Sequence, residues 1–296
     1  PYTTLFRSSG SGIAAATAVG GVMGPLEKEE GYDEKFSAAC NIATAPVGQL
    51  IPPTNAFIVY SAASGGAAVA TLFMAGWIPG LLWAFLCMIV AFIYGKKHGY
   101  VVKREKMTAA VVGKTILDSI PSLLLIVIII GGILSGYFTP TEASGVAVIY
   151  AFILSVFVYK SIKLSEIKDI LVNAAVTTTI VMLIIGASSV LSFVLSFTGL
   201  PQAISNLMLG VSDNKIVILL MINVILLIVG TFMDMAPALL IFTPIFLPVI
   251  TAIGMDPIQF GVMMVMNLSI GTITPPVGSV LFVGCSVAKL KVEDVI

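Results

Sequence analysis

Side chains that carry acid–base or metal chemistry are scarce in this chain. It has one histidine and three cysteines, and its 15 basic residues face 15 acidic ones. Charged residues are 10% of the sequence, against about a quarter in a soluble domain. The single histidine, His98, sits among lysines in "GKKHGY" and reads as a solvated loop residue. Imidazole catalysis therefore has no support. Cys40, Cys87 and Cys285 are far apart, odd in number and set in apolar context. They read as buried inert thiols, which excludes a disulfide framework or a metal cluster. The formal net charge is zero, so nothing points to nucleic acid. No ten-residue alternation of the kind a membrane barrel strand needs is present.

What remains is apolar. Hydrophobic residues make up 58% of the chain and mean hydropathy is +1.08, so an all-α integral membrane protein is expected. Val69–Tyr94, Ile120–Tyr137, Val146–Tyr159, Ile170–Val194 and Ile216–Phe232 approach or exceed the roughly 20 residues that cross a bilayer as a helix. Basic residues set the orientation. Lys96, Lys97, Lys103, Arg104 and Lys106 follow the first long run, Lys160, Lys163 and Lys168 follow the third, and Lys289 and Lys291 lie near the end. The alternate connections carry almost none, which puts the basic loops in the cytoplasm.

Two segments interrupt the apolar pattern in the same way, "GQLIPPTNAF" at Gly48–Phe57 and "GTITPPVGSV" at Gly271–Val280. A shift of 223 residues superposes them without a gap. Pro25 falls on Pro248, Gly31 on Gly254, Asp33 on Asp256, Gly48 on Gly271, and Pro52 and Pro53 on Pro275 and Pro276. Shared Gly, Asp and Pro at a constant offset mark a duplicated half rather than a solenoid. Five crossings between the two sites make the copies inverted. Each copy also has an apolar arm returning to its aligned proline. In the second copy Ile216–Val229, "GTFMDMAP" and Ala238–Ile250 are too short for two full crossings, which predicts a re-entrant hairpin. Its counterpart keeps only the tip "SGSG" and the return arm.

Proline removes a backbone donor and bends its neighbours out of helical geometry. Irregular backbone survives at membrane depth only where protein or a cavity surrounds it. Paired broken helices and hairpin tips in inverted copies predict the binding site of a secondary transporter. Unwound carbonyls suit a cation there, and half-helix N-termini suit an anion. Asp234 is the only acid in the second hairpin's apolar stretch. It is either a functional carboxylate or a cap on the returning arm, and both readings stay open. Ser11 aligns with it. Thr54, Asn55, Thr272 and Thr274 place polar groups beside the breaks, while Gly48, Gly230 and Gly271 permit close approach. Glu142, in "FTPTEASG", reads as part of a helix-capping pattern.

The motifs "IPPTNAFIVYS", "LFMAGWIPG", "GILSGYFTPTEAS", "GTFMDMAPALLIFTPIFLPV" and "NLSIGTITPPVGSVLFV", in that order, resemble the large membrane subunit of the tripartite ATP-independent periplasmic (TRAP) transporters. The resemblance runs from Ser9 to Ile296. It implies an elevator-type fold with two re-entrant hairpins and two broken helices. Residues 9–68 and 215–296 would form the transport domain, and 69–214 the scaffold and connecting helices. It further implies Na⁺-coupled import, across the bacterial inner membrane, of a small organic anion delivered by a periplasmic binding protein. A small four-helix membrane subunit is the implied partner. One Na⁺ is expected around Ser9, Ser11, Gly48, Ile51 and Pro53, and a second at Gly230, Gly271, Thr274 and Val277, mostly on carbonyl oxygens. Thr54, Asn55, Asp234 and Thr272 are the implied substrate contacts. Many relatives carry Ser and Asp where this chain has Gly12 and Ala15, so carbonyl ligation is expected at the first ion site.

Residues 1–8, "PYTTLFRS", resemble a translated sequencing adapter, and the rest is expected to be a fragment lacking both ends. The alternative function is an ion-coupled carboxylate carrier working without a binding protein. An intramembrane enzyme lacks a facing nucleophile–base pair, and a channel filter normally needs several symmetric subunits.

Overall fold

The computed structural model describes residues 11–100, 109–212 and 214–296, and every described regular element is helical. The helices are α1 (Gly12–Glu29), α2 (Glu34–Thr44), α3 (Val47–Leu50), α4 (Asn55–Ala63), α5 (Val69–Lys97), α6 (Ala109–Leu134) and α7 (Pro140–Ile153). They continue with α8 (Ile167–Phe197), α9 (Leu200–Val211), α10 (Lys215–Phe232), α11 (Met235–Ala252), α12 (Pro257–Thr272) and α13 (Ser279–Ala288). Two compact units result. Of the described residues, one contains 109–186, and the other contains 11–100 with 187–212 and 214–296. Five helices among the described residues are long and apolar enough to cross a membrane: Val69–Lys97, Pro140–Val158, Leu164–Leu195, Lys215–Phe232 and Met235–Ala252.

In the smaller unit, α7 begins with the capping box expected at Glu142. The Thr139 side chain accepts the Glu142 N–H, and the Glu142 carboxylate accepts the Thr139 N–H at 2.8 Å. Tyr150 donates its hydroxyl to the Pro121 carbonyl at 2.8 Å, tying α7 to α6. Helix α7 runs into a π-helical turn, Leu154–Val158.

The larger unit holds both repeat copies, and local chemistry explains what they share. Gly31 and Gly254 adopt φ of +81° and +69°, a left-handed turn that side chains with a Cβ resist. Two residues on, Asp33 accepts the Lys35 N–H at 3.0 Å and Asp256 accepts the Ile258 N–H at 2.7 Å, capping α2 and α12. The Pro52–Pro53 and Pro275–Pro276 bonds are both cis. Helices α2 and α3 lead to the first break and α12 to the second. Helices α4 and α13 resume the chain beyond them.

Helix α5 is the ruler. At 29 residues it is about 43 Å long. At its C-terminal end the Tyr94 hydroxyl donates to Asp33 and the Tyr100 hydroxyl accepts the Asp33 N–H, each at 3.1 Å. At its N-terminal end Thr71 and Ala75 line a hollow with Asp256 and Gln259. The two copies therefore start from opposite ends of α5, and both break within its length. The Leu50 carbonyl lies against Gly76, and Met266 and Ile270 share an apolar groove with Leu82, Trp83 and Leu86. Lys28, Lys35, Lys289 and Lys291 gather at the C-terminal end of α5 with Lys96 and Lys97, as salt bridges from Lys28 to Glu34 and from Lys35 to Asp294 require.

Helices α10 and α11 form a hairpin. Lys215, opening α10, reaches the Gly254 carbonyl just after α11, while only Met233 and Asp234 separate the helices at the tip. The expectation that these arms are too short to cross is not met. Each is 18 residues, about 27 Å. Packing is reciprocal between copies. Helix α1 runs beside α13, with Gly12 against Val280 and Gly20 against Val287. Helix α11 runs beside α4, where Met235 and Leu239 share a cavity wall with Ala56 and Val59. Between lipid-embedded helices, close packing replaces water exclusion as the main attraction, and small residues let backbones approach. Gly261 accordingly lies under the Tyr60 ring and Gly284 under Ile42.

Candidate functional site

Three helices begin at one small cavity of about 80 Å³. Ser11 and Ile13 of α1, Asn55 and Ala56 of α4, and Asp234, Met235 and Ala236 of α11 line it, together with Gln49 from the first broken helix. The first four N–H groups of a helix lack intrahelical partners and carry its positive dipole end. Ser11 accepts the Ala14 N–H at 3.4 Å, and Thr54 accepts the Ala56 N–H at 3.2 Å. Asp234 occupies the capping position of α11 without making the capping bond. Its carboxylate instead accepts the Ser279 hydroxyl of α13 at 3.2 Å. Of the two readings of Asp234, the side-chain cap is thus set aside. Among the described residues no Lys, Arg or His lines the cavity, and the helix ends there supply positive potential.

Thr54 is buried, and its hydroxyl is spent on backbone: it donates to the Gln49 carbonyl at 2.8 Å besides accepting the Ala56 N–H. It holds the break's shape. Thr272 is fully buried, donates to the Ser269 carbonyl at 2.8 Å, and does not line the cavity. Asn55 and Asp234 line the cavity and are exposed.

Of the first ion group, Ser9 lies outside the described residues. Gly48, Ile51 and Pro53 follow one another along the end of α3 and the unwound stretch before α4. The Ile51 N–H bonds the Val47 carbonyl at 2.9 Å, while Pro53 offers no N–H. Ser11 meets this stretch through Gln49. A Cβ on Gly12 would stand 2.7 Å from Gln49 Nε2, so glycine at position 12 makes room for that amide.

The second ion group does come together. Helices α10 and α12 touch at Gly230 and Gly271, where a Cβ on Gly271 would lie 2.5 Å from Gly230 Cα and 2.9 Å from its carbonyl oxygen. Two helix C-termini, each with its negative dipole end, meet there. The Thr231 carbonyl accepts the Gly278 N–H at 2.9 Å, which draws the 274–278 stretch, and Val277 with it, to the hairpin tip. Thr274 donates its hydroxyl to the Ile270 carbonyl at 2.6 Å and stays available as an acceptor. This donor set, all oxygen and mostly carbonyl, fits a hard monovalent cation.

Gln49 is the residue that sequence reasoning passed over. It is 5% exposed, and its Oε1 is buried without a hydrogen-bond partner. Its only signal was a lone amide in an apolar run, aligned with Thr272.

Comparison with known proteins fits this geometry. The family described as "Tripartite ATP-independent periplasmic transporter, DctM component" matches residues 5–296, which takes in part of the segment read as an adapter translation. The chain is 52% identical over 294 residues to the protein YgiK of Salmonella typhimurium, covering 99% of this chain and 67% of that one. It is 40% identical over 286 residues to an isethionate TRAP transporter permease protein of Oleidesulfovibrio alaskensis, covering 97% and 45%. It is 38% identical over 289 residues to the sialic acid TRAP transporter large permease protein SiaM of Vibrio cholerae, covering 95% and 66%. The chain thus spans about two thirds of the length of two of these relatives and under half of the other. It belongs to the DctM-component family of the tripartite ATP-independent periplasmic transporters, multi-pass permease proteins of the inner membrane rather than enzymes.

Proposed function

We propose that the whole protein imports a small organic anion, coupled to an inward Na⁺ gradient, as the large permease subunit of a TRAP transporter. The observation that carries this reading is the convergence of three helix N-termini on a cavity with no basic side chain among the described residues. Backbone N–H groups and dipole ends can hold a carboxylate or sulfonate there without a permanent cation that would resist its release. The names of the relatives, isethionate and sialic acid, belong to that class of cargo. Na⁺ is assigned to the meeting of α10 and α12 at Gly230 and Gly271, where carbonyl ends gather, and to the unwound stretch around Gly48, Ile51 and Pro53. A cation at these points offsets the charge of Asp234 and of the cargo, which couples the two bindings. Hairpins α10–α11 and the partial one ending in α1 would be re-entrant, moving with the broken helices against the remaining helices. A periplasmic binding protein and a small four-helix membrane subunit complete the system.

The test is uptake by proteoliposomes holding the full-length subunit with both partners under an imposed Na⁺ gradient. Asp234→Ala is expected to abolish uptake while the protein stays folded. Wild-type rates in that variant, or uptake indifferent to Na⁺, overturn the reading. Uptake that persists without the binding protein points instead to a free-standing ion-coupled carrier.

A further inference from the structure

We propose that Gln49 selects the cargo: its side-chain carbonyl accepts a hydrogen bond from a hydroxyl or N–H donor near the acid group. The permease should then favour donor-bearing acids over the same acids without the donor. This rests on the cavity between the helix N-termini being the cargo site.

Gln49 and Asp234 put two side-chain acceptors at this cavity, beside the donors of Asn55, Ser11 and the helix N-termini. Gln49 Oε1 is buried and takes no hydrogen bond. Asp234, when ionised, only accepts, and Ser279 supplies it one donor from outside the cavity wall. The other end of the Gln49 amide lies beside Gly12, where an added Cβ would stand 2.7 Å from Nε2. An acceptor buried without a donor is costly, and a ligand that brings the donor removes that cost. A ligand with only acceptors leaves both Gln49 and Asp234 unmatched and adds its own negative charge. The helix N-termini meanwhile take the acid group itself. A hydroxy acid satisfies both halves of the wall, and its deoxy analogue satisfies one. Sites built to bond a hydroxyl reject the analogue that lacks it for this reason.

The experiment measures equilibrium binding to the full-length permease in detergent with Na⁺, omitting the binding protein so that its own selectivity does not enter. The probes are pairs differing by one hydroxyl: isethionate with ethanesulfonate, malate with succinate, and lactate with propionate. At least one pair is expected to show about tenfold tighter binding of the hydroxy member, the worth of one hydrogen bond. Gln49→Met, which keeps an unbranched side chain of similar size beside Gly12, should erase that ratio by weakening only the hydroxy member. Asp234→Ala should weaken both members. A panel in which no hydroxy acid binds better than its partner overturns the proposal, as does an unchanged ratio in Gln49→Met. Binding of every probe that survives Asp234→Ala overturns instead the underlying assignment of the cavity.

Discussion

The close backbone approach of Gly230 to Gly271 lets one methyl group test the packing directly. In Gly271→Ala the new Cβ would stand 2.5 Å from both Cα and C of Gly230, about 0.9 Å short of the 3.4 Å of ordinary contact. The obstacle is backbone, so no side-chain rotation relieves it, and α10 and α12 must separate. Overpacking of this kind costs about 1–3 kcal/mol, and the absence of a yielding side chain places the cost in the upper part of that range. Gly95→Ala is the control. Nothing lies within 4 Å of its Cβ position, it sits inside α5, and replacing helical glycine by alanine should stabilise by about 0.5–1 kcal/mol. The assay is denaturant unfolding of the full-length subunit in detergent, read by fluorescence and dichroism. The two alanines should therefore move stability in opposite directions. A Gly271→Ala protein as stable as wild type would refute the close approach of α10 and α12.

Two further expectations concern the larger unit. Tyr60→Phe removes the bond by which the buried Tyr60 hydroxyl reaches the Pro257 carbonyl at 2.6 Å. It should lower unfolding free energy by about 0.5–1.5 kcal/mol, measured in the same assay. The Lys35 side chain, at 2.7 Å, holds the Asp294 carboxyl below its ordinary value of 3.8, by hydrogen bond first and by charge second. A carboxyl whose folded value is depressed stabilises fully above its unfolded value and loses that contribution as pH falls through the folded one. The stability difference between wild type and Asp294→Asn should therefore be present at neutral pH and vanish on acidification below about pH 4. It should also shrink with salt, since both groups face solvent.

Membrane character, inverted copies and broken helices were legible because they rest on local chemistry. Gly31 and Gly254 turn the chain, Asp33 and Asp256 cap the next helices, and paired prolines stop them; each effect needs only neighbouring residues. Glu142 was legible as a cap for the same reason. Three features were not. Whether Thr272 faces the cavity depends on the rotation of α12, and its hydroxyl back-bonds to Ser269 instead. The length of the second hairpin's return arm was another, since α11 runs through Pro244 and Pro248 without a break. Gln49 carries its meaning only through its approach to Gly12 and its place on the cavity wall, both set by residues far away in sequence. A polar residue left unexplained inside an apolar run was the one clue available.

The central claim is that two copies enter the membrane from opposite faces and bring their helix ends to a shared cavity. Single cysteines at Glu30 and Thr251, exposed residues near the Gly–Asp turns of the two copies, test it in a background with Cys40, Cys87 and Cys285 replaced. Membrane-impermeant thiol labelling of sealed vesicles should reach Glu30→Cys only from the cytoplasmic side and Thr251→Cys only from the outer side. Labelling of both positions from the same side would contradict the account.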